Sequence, residues 1–332
     1  MTATPSTDLR PEDLRVATRA RIGDTVARRL FQSAGVSVLF VLGFILYVLA
    51  GNSIDFFRDV SLAEFFGSTT WRTAGTLAIS EGDYGEFGIW PLVSGTMLVT
   101  VGAVVIGLPI GLATAVYLAE YASPRVRGLL KPVLELLAGI PSIVFGFFAL
   151  HVVSPIIQRW TDEGTFLFYL FGEKSAGIFN AANAIVVVGI MVLPIITSLS
   201  EDAIRAVPRH LKEASLGMGA TRWETTRKVV LPAALSGIVA SFVLGVARAI
   251  GESMAVAMAA GTQATFTFNP VDSIQTMTAF IVQRTGGDTP QHGPVFTSLF
   301  AVGLMLFLLT LALNLVAQRF VKKYREVDGG HL

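Results

Sequence analysis

Residues 213–232 read Glu213-Ala-Ser-Leu-Gly-Met-Gly-Ala-Thr-Arg-Trp-Glu-Thr-Thr-Arg-Lys-Val-Val-Leu-Pro232, a charged stretch wedged between two apolar runs. Thr221-Arg222-Trp223-Glu224 has the spacing of a capping box, so a helix is expected to begin after Thr221. Gly219, just ahead of it, permits a backbone turn that a side chain would obstruct. Ala214 and Ser215 are small and let another protein's surface approach closely. Pro232 suits the first turn of the next helix, where a missing N–H costs little. The plainer alternative is a solvated loop between two membrane helices.

The flanks make this a membrane protein. The chain is 52% apolar and 15% charged, with a mean hydropathy of +0.63, outside the soluble globular range. A bilayer crossing takes about 20 apolar residues, and six stretches qualify, near 31–50, 92–119, 132–153, 178–200, 233–260 and 297–317. Most of the 25 cationic residues fall in the N-terminal tail, near 120–131, in 201–232 and in the C-terminal tail. Arg58, Arg72, Arg159, Lys174 and Arg284 lie on the opposite side, with Arg248 inside a span. The positive-inside rule then predicts both termini in the cytoplasm. The first span follows about thirty polar residues and exceeds the ~7–15 residues of a signal core, so it is expected to stay as a helix. The tail before it, 11–29, fits either a basic surface helix or an irregular segment.

Three features inside the spans need explaining. Gly107-x-x-x-Gly111 allows close helix crossing, and packing is its default reading. Ala138-Gly139-Ile140-Pro141-Ser142 weakens the third span; it fits a simple kink, or a pathway lined by Ser142. Arg248 and Glu252 are charges within an apolar run. Arg248 lies about 24 Å along a helix from Pro232, at ~1.5 Å per residue. An arginine at that depth costs about 2.5–3.5 kcal/mol on insertion scales. Four residues apart, the two could form a structural ion pair. Alternatively, Arg248 attracts a tetrahedral oxyanion and Glu252 holds the arginine when the site is empty.

Other chemistry is scarce. There are no cysteines, and the four histidines share no ligand spacing, so no metal site is expected. His151 suits a polar interfacial position. No phosphate-binding Gly-x-x-x-x-Gly-Lys loop and no His-Glu-x-x-His run occurs. Catalytic residues are therefore not expected. An ion-gradient transporter would be favoured by inverted repeats, and none is evident; an intramembrane hydrolase lacks its residues.

The segment 213–232 resembles the coupling loop of ATP-binding-cassette importer permeases at Glu213, Ala214, Ser215, Gly219, Val229, Leu231 and Pro232. Ser215 and Val229 stand where that pattern has Ala and Ile. The run Arg248-Ala-Ile-Gly-Glu252 looks like the oxyanion importers generally. Its continuation Ser-Met254-Ala-Val256, with 137–148 and 91–96, is similar to the PstC-type phosphate permease subunits. The resemblance implies an all-α polytopic membrane protein with the type I importer permease fold, in a bacterial inner membrane. Residues 1–30 would be a cytoplasmic tail, 31–320 the six-helix permease domain with its coupling segment at 201–232, and 321–332 a second cytoplasmic tail. It implies phosphate import, with sulfate or molybdate as the alternative cargo. Implied partners are a PstA-like second permease, a pair of PstB-like ATPases that bind ATP and Mg, a PstS-like extracytoplasmic binding protein and membrane lipid. The chain itself would bind no cofactor and no nucleic acid. Glu213, Ala214, Ser215, Gly219, Leu231 and Pro232 would dock the ATPase, while Arg248, Glu252 and Ser142 would serve translocation.

Overall fold

A computed structural model of the chain describes residues 11–73, 84–286 and 293–329. Of the expected tails, residues 1–10 and 330–332 lie outside these. Packing divides the chain at Asn52 and Ser53 into two compact units.

The first unit is the greater part of helix α1 (Pro11–Asp59). The helix starts on a proline, which costs nothing at a first turn, and meets no further proline along its length. It therefore runs unbroken through the boundary expected at residue 30. Phe31, Leu39, Phe40, Phe44 and Tyr47 are exposed along it, the mark of a helix that faces lipid.

The second unit begins with α2 (Leu62–Gly67) and a short antiparallel ladder, β1 (Trp71–Thr73) against β2 (Gly85–Phe87), with Arg72 opposite Glu86. Phe56, Phe65, Trp71, Phe87 and Phe280 pack edge to face there, with ring centroids 5.1–6.5 Å apart. The aromatics of this loop thus build a buried cluster, each such pair worth about 0.5–1.5 kcal/mol beyond its area.

Helix α3 (Trp90–Val116) lies along α8 (Ala181–Ala206). Their approach depends on the small-residue pattern. A methyl on Gly107 would come within 2.6 Å of Val192 Cγ2, and one on Gly111 within 2.7 Å of Ile196 Cγ2. The default packing reading of that motif therefore holds.

Between them run α4 (Pro124–Ala138), α5 (Ser142–Phe148), α6 (Ser154–Trp160) and α7 (Phe166–Leu170). The third span departs from expectation: the apolar helix long enough to cross covers Ser142–Trp160, not 132–153. Gly139, Ile140 and Pro141 stop α4, and α4 itself carries Arg125, Arg127, Lys131 and Glu135.

Beyond α8 come α9 (Arg209–Gly217), α10 (Arg222–Thr225), α11 (Leu231–Ala233), α12 (Leu235–Ile250), α13 (Met254–Ala259), α14 (Met277–Thr285) and α15 (Pro294–Gly329). Five helices are long and apolar enough to span a membrane, and a sixth crossing is the pair Arg222–Ala233 and Leu235–Ile250, bent by 71°. The expected fifth span 233–260 is thus interrupted at Ala234 and again at Gly251. Two of three π-helical turns, Ala149–Val153 and Thr226–Val230, each come two residues before a proline, Pro155 and Pro232. Proline removes a helical donor, and a widened turn absorbs the loss.

Candidate functional site

The coupling stretch is built from two short helices around one turn. Thr221 Oγ1 accepts the Glu224 N–H at 3.3 Å, and Glu224 Oε2 accepts the Thr221 N–H at 2.9 Å, so the expected capping box is present. Gly219 has φ of +89° with open space around it. Its role is conformational, since only a residue without Cβ adopts that angle cheaply. Glu213 and Ala214 lie on α9, exposed, and Ser215 is pinned by a 2.9 Å hydrogen bond between its hydroxyl and that of Thr225. Leu231 is half-buried and Pro232 exposed, both just before the bend at Ala234.

Sequence spacing did not reveal how this stretch is anchored. Lys212 Nζ donates to Glu120 Oε1 at 2.5 Å, and the Arg222 guanidinium lies 5.4 Å from the Tyr121 ring centroid. Both partners sit in the π-helical turn Tyr117–Tyr121 that ends α3. Met218 at 89% exposure and Trp223 at 57% leave an apolar knob beside Glu213, a contact surface that composition alone could have flagged.

A second ionic cluster ties α4 to α8. The wholly buried Glu201 side chain meets Arg127 Nη2 at 2.7 Å and Lys131 Nζ at 3.0 Å; Lys131 also reaches Asp202 at 2.9 Å. The Asp202 hydrogen bond, opposed by burial and helped by Glu201, holds the Lys131 amine above its ordinary range.

The expected pairing of Arg248 with Glu252 is not found. Helix α12 stops at Gly251, between the two, so the four-residue helical spacing never applies. Glu252 turns back instead: its Oε1 accepts the N–H groups of Ser253 at 3.2 Å and Ala255 at 3.3 Å, capping α13. Its carbonyl accepts the Thr278 hydroxyl at 2.7 Å, and the residue is 9% exposed. Arg248 is exposed and has no ion-pair partner among the described residues. Ser142 is half-buried at the start of α5. One turn on, a methyl at Gly146 would stand 2.9 Å from Met258 Cβ, so α5 lies directly on α13. The structure therefore brings the helices of Ser142 and Glu252 together, without a hydrogen bond between those two side chains. An exposed guanidinium beside a helix break with a fixed carboxylate can receive an oxyanion.

The family profile described as "Binding-protein-dependent transport system inner membrane component" matches residues 107–326. The chain belongs to that family. As a binding-protein-dependent inner membrane component it is a multi-pass protein, and its relatives agree along most of its length. It is 33% identical to the probable ABC transporter permease protein YqgH of Bacillus subtilis, over 93% of this chain and 92% of that one. It is 33% identical to the phosphate transport system permease protein PstC 1 of Mycobacterium tuberculosis, over 78% of this chain and 81% of that one. In fold it is similar to a chain of a bacterial ABC transporter that imports the polysaccharide alginate, with a TM-score of 0.57 at 15% identity, over 91% of this chain and 99% of that one. Members of such importers work with an ATPase and a binding protein.

Proposed function

We propose that this chain is a permease subunit of an ATP-driven importer of inorganic phosphate, and that the anion passes Arg248. The observation that carries the reading is the exposed, unpaired Arg248 inside an apolar span, one residue chain away from a helix break fixed by Glu252. Relatives named as phosphate permeases over most of the chain support the choice of anion. Arg248 supplies a fork of donors matched to a tetrahedral oxyanion. Glu252, already satisfied by backbone donors, holds α13 in place rather than competing for that cation. Ser142, on the neighbouring helix, adds a hydroxyl to the same region.

Energy comes from outside the chain. ATP and Mg are handled by a pair of PstB-like ATPases, which dock on Glu213, Ala214, Ser215 and Gly219, with Leu231 and Pro232 setting the exit into the fifth span. The chain itself performs no catalysis. A PstA-like permease completes the pathway, a PstS-like protein delivers the anion, and both termini lie in the cytoplasm. Motion of α9 reaches α3 through Lys212–Glu120 and Arg222–Tyr121.

The test is Arg248→Gln in the assembled complex. Phosphate uptake should vanish while the ATPase still co-purifies; normal uptake refutes the role. Competition by sulfate and molybdate against phosphate in the wild-type complex decides the anion.

A further inference from the structure

The side opposite the coupling segment is poor in cations, and most of those present are accounted for. Arg58 is held by Asp55 and Lys174 by Asp272. Arg72 and Arg284, 212 residues apart in sequence, instead line one cavity of about 610 Å³. Its other walls are Trp71, Thr73, Gln275, Gln283 and the turn 262–265, and no acidic residue lines it among the described residues. Glu86 stands opposite Arg72 in the ladder but is not a wall of the cavity.

The walls are organised. Arg284 donates to the Thr73 hydroxyl, which ties α14 to β1, and its guanidinium lies 6.0 Å from the Phe280 ring centroid. Gln275 Nε2 donates to Gln283 Oε1 at 2.6 Å, fixing both amides on the same wall. Trp71 is only 7% exposed, and its indole N–H has no hydrogen-bond partner among the described residues. Buried donors are normally satisfied, so this wall holds an acceptor-seeking group beside two arginines. Burial also pushes the Arg284 guanidinium down from the ordinary arginine range, although an arginine so placed stays charged at neutral pH.

The cavity adjoins the translocation residues. Gln275 is three residues before Thr278, whose hydroxyl is bonded to the Glu252 carbonyl. The turn 262–265 follows α13, a helix of about 9 Å at ~1.5 Å per residue that Glu252 caps. The volume accommodates an oxyanion with its hydration shell, at about 30 Å³ per water.

We propose that this cavity is a receiving site for a tetrahedral oxyanion, in which Arg72 and Arg284 take the anion before it reaches Arg248. The inference rests on the phosphate reading above and adds to it a second, outer site. Two guanidiniums facing one space suit a doubly charged oxyanion better than a monovalent halide, because each fork can engage two oxygens.

The experiment uses the whole complex in lipid vesicles, with inorganic phosphate as the probe. Arginine modification by phenylglyoxal is followed residue by residue by mass spectrometry. Phosphate, compared with chloride at equal ionic strength, should slow modification of Arg72 and Arg284, while exposed Arg159 reacts at an unchanged rate. Arg72→Gln and Arg284→Gln should each lower phosphate uptake per ATP by about tenfold, the factor carried by a charge-assisted contact of ~1.4 kcal/mol. The matching lysine variants should recover part of that loss, and the concentration of binding protein giving half-maximal ATPase stimulation should not move. Unchanged modification by phosphate overturns the proposal. So does protection by the anion-free binding protein alone, which would make the arginines a docking surface. A wild-type complex that imports no phosphate defeats the functional reading itself, whereas loss of uptake in Arg248→Gln with wild-type behaviour of both outer variants defeats only the outer site.

Discussion

Replacing Arg127 and Lys131 together by Met would strand Glu201. Its side chain is wholly buried, with Arg127 at 2.7 Å and Lys131 at 3.0 Å, and the remaining cation, Arg205, is 3.8 Å away and nearly half exposed. Stripping one side of a buried pair costs about 3–5 kcal/mol, because the other charge stays out of water. The reverse change, Glu201→Gln, leaves two cations whose side chains are 27% and 25% exposed, and Lys131 keeps Asp202 at 2.9 Å. That change should cost less, about 1–3 kcal/mol for a buried polar group left underpaired. Thermal unfolding of the detergent-purified complex is the assay, and the double cation variant should melt on the order of 10 °C lower. Adding Glu201→Gln to it should restore part of the loss. The sign of the pH effect follows from Lys131, whose amine is raised above 10.5. A raised base contributes stability that is fully present below the unfolded value and lost as pH rises through the folded one. The Lys131→Met difference should therefore be flat from pH 6 to 9. An equal or greater loss from Glu201→Gln alone would refute the asymmetry.

Three further outcomes follow from the geometry. Glu120→Lys and Lys212→Glu should each lower uptake per ATP hydrolysed, and the exchanged pair should recover it, because the 2.5 Å contact works in either polarity; failure of the exchange with intact assembly would remove the link between α9 and α3. Gly219→Ala should weaken ATPase co-purification, since φ of +89° costs a side-chain residue about 1–2 kcal/mol, and unchanged recovery of the ATPase would count against that turn. Gly107→Ala forces a methyl to 2.6 Å from Val192 and should destabilise by about 1–3 kcal/mol; Gly128→Ala, with nothing within 4 Å, is the matched control in the same unfolding assay.

Local signals in the sequence were read well. The capping box at Thr221 and Glu224, the turn at Gly219 and the small-residue crossing at Gly107 and Gly111 all depend on neighbours within a few residues. Hydropathy located the apolar runs for the same reason. It misplaced the third span because Leu134, Leu136 and Leu137 are as apolar as a true crossing, although they belong to a helix that Gly139 and Pro141 terminate. The Arg248–Glu252 pairing failed because it presumed a continuous helix through Gly251, and a glycine between two helical runs does not announce whether the chain stops there. Contacts such as Lys131 with Glu201 and Arg284 with Thr73 join residues far apart along the chain. No periodicity in a single sequence encodes them.

The 71° elbow at Ala234 decides what kind of motion the fifth span can receive. Two stiff limbs meeting near a right angle transmit an axial shove on the first mainly as a sideways swing of the second. Any thrust entering at Trp223 would accordingly tip α12, with Arg248 near its far end sweeping the widest arc, instead of sliding it like a piston.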